Sequence, residues 1–155
     1  MVLESADGSS GEALEGYFSI RGGEFEDAGT AATAIKSALR KLGFPDDAAR
    51  RAAISAFEAE MNVIIHALAG TLTYTIAGDE IQIIVNDMGP GIEDIGKAMT
   101  EGFSTAPEWA REKGWGSGLG LPNIKKNSDS LEIDTRKGEG TTLTIKVKLV
   151  PGGIG

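Results

Sequence analysis

Residues 71–86 read TLTYTIAGDEIQIIVN, and their pattern decides the fold. Thr71 to Ala77 alternates polar and apolar side chains with a period of two, which puts one kind on each face of a strand. Glu80 to Asn86 resumes the alternation after the tight turn Gly78-Asp79. Two such runs joined by two turn residues predict a β-hairpin, so the sheet built on it is largely antiparallel. Toward the C-terminus, Ser130–Arg136 (SLEIDTR) and Thr141–Leu149 (TTLTIKVKL) predict a second hairpin, turning through Lys137-Gly138-Glu139-Gly140. Toward the N-terminus, Leu14–Ile20 (LEGYFSI) predicts a first strand that turns at Arg21-Gly22-Gly23.

Helices fill the intervals. Residues 27–42 place Ile35, Leu39 and Leu42 at helical spacing, with Asp27 or Thr30 as the expected cap and Gly43-Phe44-Pro45 as the stop. Asp46 or Asp47 opens a longer helix that Gly70 is expected to end. Its apolar stripe reads Ile54, Phe57, Met61, Ile64, Ile65 and Leu68. A short helix is expected near Ile95–Met99 and another from Leu119 to about Ser128. The order β-α-α-β-β-(α)-loop-α-β-β predicts an α+β two-layer sandwich with its helices on one face of the sheet.

The 155 residues suit one domain, expected over 13–150, between a disordered start (1–12) and a short tail (151–155). The absence of cysteine excludes disulfides, thiolate metal sites and thiol catalysis, and suits a reducing cytoplasm. The opening MVLESADGSSGEALEG has neither a basic nor an apolar segment of the signal-peptide kind. No apolar run reaches about 18 residues, so no membrane span is expected. A net charge of -8 argues against general nucleic-acid or anionic-membrane binding. Glycine stands out at 22 residues, against a usual share of about 7%. Its internal clusters at 89–91, 114–120 and 138–140 therefore need a reason.

Four short patterns carry chemistry. Glu58 and Asn62 lie four apart on one helix face, with His66 four further on. An amide oxygen suits Mg²⁺, which takes hard oxygen ligands, and a carboxylate one turn away can accept a proton. A solvated polar stripe is the other reading. Glu60 lies off this face and serves as the control. Asp87-Met88-Gly89-Pro90-Gly91-Ile92 follows a strand; it reads either as a plain turn or as a carboxylate that accepts a bond from an exocyclic amine. Gly116-Ser117-Gly118-Leu119-Gly120 runs into a helix and can turn backbone N–H groups on phosphates, or act as a hinge. It lacks the Gly-Lys-Ser/Thr ending of a Walker loop, and no strand leads directly into it. Gly140-Thr141-Thr142 starts the last strand, where a hydroxyl can join a base-binding network.

In this order the four patterns resemble the ATP-binding domain shared by gyrase, heat-shock chaperones, mismatch-repair proteins and sensor histidine kinases, the Bergerat fold. The resemblance spans about residues 14–149 and implies a mixed, mostly antiparallel sheet. Within it, Glu58 to Ala67, Asp94-Ile95 through Gly102-Phe103-Ser104-Thr105, and Gly118 to Lys126 with Ser128-Asp129 are similar to the single-domain anti-sigma factor and stressosome switch serine/threonine kinases. A group of ATP-binding proteins associated with iron hydrogenases is similar over Gly120 to Asp129.

The resemblance implies ATP or ADP as ligand with Mg²⁺ on Asn62, and Glu58 as the group that activates an acceptor hydroxyl. It implies Asp87, Gly89, Gly91 and Ile92 around adenine, Thr141 supporting the base, and Gly116, Ser117, Gly118, Leu119 and Gly120 over the phosphates as a lid at 102–120. It implies a cytoplasmic kinase acting on a small regulatory protein, or a nucleotide-gated binder of such a protein. The partner would be an anti-sigma antagonist, a sigma factor or a phosphatase. Dimers are common in that branch, which extends the implication to a homodimer. The chain departs from the branch by inserting Ala106 to Trp115, where Arg111 and Lys113 are either solvated lid charges or phosphate contacts.

Overall fold

The computed structural model describes residues 13–100 and 120–150. Its sheet grows from the central hairpin, β2 (Ala69–Ala77) and β3 (Glu80–Asp87), joined through Gly78-Asp79 in the register Ala77 to Glu80. The alternation places Leu72, Tyr74, Ile76, Ile81, Ile83 and Val85 on the buried face. β1 (Ala13–Arg21) pairs with β2, and β4 (Ser130–Arg136) with β5 (Gly140–Lys148). The strand order is β1-β2-β3-β5-β4, and all four pairings are antiparallel. β5 thus lies between β3 and β4. The two strands flanking it run in the same direction, so the chain between them crosses over and returns.

The helices α1 (Thr30–Lys41), α2 (Asp46–His66) and α4 (Gly120–Asn127) cover the buried face, and α3 (Ile95–Ala98) follows β3. α2 packs against α1, α4 and four strands at once. That position explains a correction to the expected apolar stripe. Met61 and Ile64 are buried, but Phe57 is 37% exposed and Leu68, beyond the helix, is 84% exposed. The buried side is made instead of Ala48, Ala49, Ala52, Ala56 and Ala59. Small side chains let one helix approach neighbours on several sides, and interiors this dense leave no room for larger ones.

Two helix ends also differ from expectation. α2 stops at His66, and Gly70 is a residue of β2 rather than a helix terminator. The chain must leave the helix early because Ala69 already pairs with Arg21. α1 is capped by neither Asp27 nor Thr30: its N-cap is Gly29, which has no side chain to offer. The carboxylate of Glu60, from α2, takes that role. It accepts N–H bonds from Gly29 (3.2 Å), Ala31 (3.4 Å) and Ala32 (2.9 Å). These are orphan donors of a helix start, and an anion is stabilised there. Glu60 is 2% exposed, so it is a buried structural residue and not a neutral control.

Candidate functional site

The C-terminal half of α2, the end of β3 with the loop after it, and the N-terminal ends of β5 and α4 supply those predicted site residues that the structure describes. Asp87 ends β3, opposite Thr141 at the start of β5. Its Oδ1 accepts the Thr141 N–H at 3.2 Å, and its carboxylate also accepts the Gly89 N–H. Burial pushes this carboxyl above its ordinary range, and the Thr141 and Gly89 amides pull it part of the way back. Asp87 is half-buried, so it keeps acceptor capacity that the protein does not use internally.

Glycine shapes the surrounding backbone. Gly91 has φ +81, and a Cβ there would lie 2.5 Å from the Arg136 carbonyl oxygen. Gly140 has φ +136, and a Cβ would lie 2.0 Å from the Asp87 carbonyl oxygen. Neither position accepts a side chain. Gly89 brings the loop within van der Waals reach of Ala67, one residue past α2. The Ile92 N–H then donates to Thr135 Oγ1 at 2.7 Å, and Thr135 Oγ1 lies 2.9 Å from Thr141 Oγ1. Asp87, Gly89, Gly91, Ile92 and Thr141 therefore form one cluster. Thr135 belongs to it too. The sequence does not mark it, since a threonine in an alternating strand carries no pattern of its own.

A second cluster lies along α2 and α4. Glu58 and Asn62 are both half-buried, one turn apart. Glu58 Oε2 accepts the Asn123 amide N–H at 2.9 Å. A Cβ on Gly120 would sit 3.4 Å from Asn62 Oδ1, so the start of α4 lies directly against that oxygen. The sequence does not mark Asn123 either; only the packing of α4 on α2 brings it to Glu58. A groove of about 330 Å³ opens beside Glu58, lined by Thr33, Lys36, Arg50, Ile54, Phe57 and Asn123 among others. His66 is exposed at the end of α2. Gly116, Ser117, Gly118 and Leu119, and the lid at 102–120 apart from Gly120, lie outside the described residues.

The side chains present are compatible with Mg²⁺ shared with a nucleotide's phosphates. Among the described residues, no group of three His, Cys, Asp or Glu side chains can hold a metal ion. Mg²⁺ at a nucleotide usually takes one or two protein oxygens and completes its shell with phosphates and water. Asn62 Oδ1 suits that role.

The sequence profile of the histidine kinase-like ATPase domain matches residues 23–147. The chain belongs to that family. Among curated proteins it is 31% identical over 112 residues to the serine/threonine-protein kinase RsbT of Bacillus subtilis, covering 70% of this chain and 78% of RsbT. It is 35% identical over 94 residues to the anti-sigma F factor of Clostridium kluyveri, covering 57% of this chain and 63% of that protein. A histidine kinase domain from the blue-light activated histidine kinase of Erythrobacter litoralis EL346 superposes with a TM-score of 0.44 at 20% identity, over 79% of this chain and 61% of the other. Among the described residues, no helix is long and apolar enough to cross a membrane.

Proposed function

We propose that this chain is a Mg-ATP-dependent serine/threonine kinase of the switch-kinase type, acting on a small regulatory protein. The observation that carries the reading is the course of α2. It sets Glu58 and Asn62 one turn apart against α4, and Ala67, the residue just after it, meets the glycine loop that follows Asp87. One rigid element thus connects an acid–base group, a cation ligand and a base pocket. Kinship to a serine/threonine kinase supports the chemistry.

In this reading Asp87 accepts the adenine amine, and Asn62 Oδ1 holds the cation near the N-terminal end of α4. Gly116, Ser117, Gly118, Leu119 and Gly120 close over the phosphates. Glu58 takes the proton of the acceptor hydroxyl, and Asn123 fixes which way its carboxylate points. Mg-ATP supplies the transferable phosphoryl group and neutralises its charge, so positioning is most of what the protein must add.

Calorimetry with ADP and ATP, with and without Mg²⁺, tests the pocket. The expected affinity is micromolar, about -8 kcal/mol. No binding of either nucleotide would overturn the proposal. Transfer of label from γ-labelled ATP to a purified anti-sigma-antagonist protein tests the chemistry, and Glu58→Gln is expected to stop transfer while keeping binding. A second reading has support in the anti-sigma F factor relatives: a nucleotide-gated binder of a regulatory protein, with little turnover. It prevails if label never moves while partner binding still depends on nucleotide.

A further inference from the structure

We infer that the groove beside Glu58 seats the acceptor segment of the partner protein, and that Lys36 and Arg50 select a segment with a carboxylate within about four residues of the acceptor hydroxyl. The inference rests on the kinase reading above and adds the chemistry of the substrate.

Three helices line the groove. α2 contributes Arg50, Ile54, Phe57 and Glu58, which helical spacing sets on one side; Lys36 comes from α1 and Asn123 from α4. If Glu58 takes the acceptor's proton, the acceptor hydroxyl must reach it. Asn123 occupies one of its oxygens at 2.9 Å, and a carboxylate keeps acceptor capacity beyond that bond. About 330 Å³ is at the small end of ligand pockets, room for a few side chains of an extended segment. Phe57, 37% exposed, offers that segment an aromatic surface next to Glu58.

Charge narrows the choice of segment. The chain has 23 acidic residues against 15 lysines and arginines, yet the groove's charged side chains apart from Glu58 are both basic. Among the described residues, no carboxylate forms an ion pair with Lys36. Arg50 meets Asp47 at 2.9 Å, with both side chains more than half exposed. A pair that open contributes little, so an incoming carboxylate can compete for the guanidinium. Arg50 and Glu58 are eight residues apart on α2, about 12 Å along the axis. An extended segment covers that span in about four residues.

Label transfer from γ-labelled ATP to a peptide library with one fixed serine tests this on the full chain. Asp or Glu is expected to outperform Lys or Arg about tenfold at a position within four residues of the serine. The chain's own net charge of -8 opposes such a preference, so only a local basic site produces it. Lys36→Glu and Arg50→Glu are each expected to cut it about threefold, and together to reverse it. Lys41→Glu makes the same change of charge on α1 outside the groove and is expected to leave the preference intact. Should the double variant not fold, Lys36→Gln with Arg50→Gln is expected to erase the preference. If no peptide is labelled, anisotropy of fluorescent acidic and basic serine peptides with Mg-ADP reads the same preference as binding. Equal treatment of acidic and basic peptides, no binding of either, or a preference that survives the double variant overturns the inference. So does self-association in sedimentation that Phe57→Glu abolishes, which would give the groove to a second copy of the chain. A chain that binds no nucleotide overturns the underlying reading, a separate and recognisable failure.

Discussion

Glu60, in the seam between α1 and α2, and Asp87, at the strand ends, both meet backbone N–H groups. Glu60 accepts from three amides, and Asp87 from those of Thr141 and Gly89. Burial raises the pKa of each, and the amide bonds oppose the rise. The difference is what remains. Glu60 is closed in by the protein at 2% exposure, out of a ligand's reach. Asp87 is half-buried, beside Gly91 in the following loop and Gly140 at the start of β5, two positions that exclude side chains. The same chemistry therefore stabilises the fold in one place and presents an unused acceptor in the other.

Substitution should separate the two. The largest effect expected is on stability, from Glu60→Ala, which leaves three donors, two of them buried, without this partner. A loss of about 3 kcal/mol follows, a melting shift of roughly 10 °C, with ADP affinity changed less than about threefold. Calorimetric melting and titration of one sample check both halves. Asp87→Asn should do the opposite. Its amide oxygen still accepts the backbone bonds, but its NH₂ faces the ligand's amine, so ADP affinity should fall about 100-fold, near 2.7 kcal/mol, while melting moves little. If both variants lose stability and binding alike, the distinction fails.

A smaller effect sharpens the account of the helical layer. Ala52→Leu puts a large side chain into the closely packed side of α2 and should cost about 1–3 kcal/mol by denaturant unfolding. Leu68→Gln, at an exposed site, should stay within about 0.5 kcal/mol.

The smallest effect is in pH dependence. Glu60 holds its proton more tightly folded than unfolded. Its contribution to stability is therefore fullest at acid pH and declines as pH rises from the ordinary carboxylate range through its raised value. The difference in stability between wild type and Glu60→Gln should change with pH across that window and be constant well above it. A constant difference throughout would mean that burial does not raise this carboxyl.

The strands were legible because alternation and turn residues are local, and β4 has the very bounds its sequence predicts. So were the positions of Glu58, Asn62, Asp87 and Thr141, since each sits at a helix face or strand end that spacing alone defines. The cap of α1 was not. Glu60 is 28 residues from Ala32 in the chain, and a cap supplied by another helix leaves no local pattern. The buried face of α2 was misread because alanine contributes little to an apolar stripe, although close packing favours it. Thr135 and Asn123 became visible only when β4 and α4 were placed against β5 and α2.

The most direct test is a crystal structure with Mg²⁺ and a non-hydrolysable ATP analogue. The account predicts the adenine amine on the Asp87 carboxylate, Thr141 beside the base, and Asn62 Oδ1 on the cation. A nucleotide bound elsewhere, with Asp87 and Asn62 touching only protein and water, would contradict it.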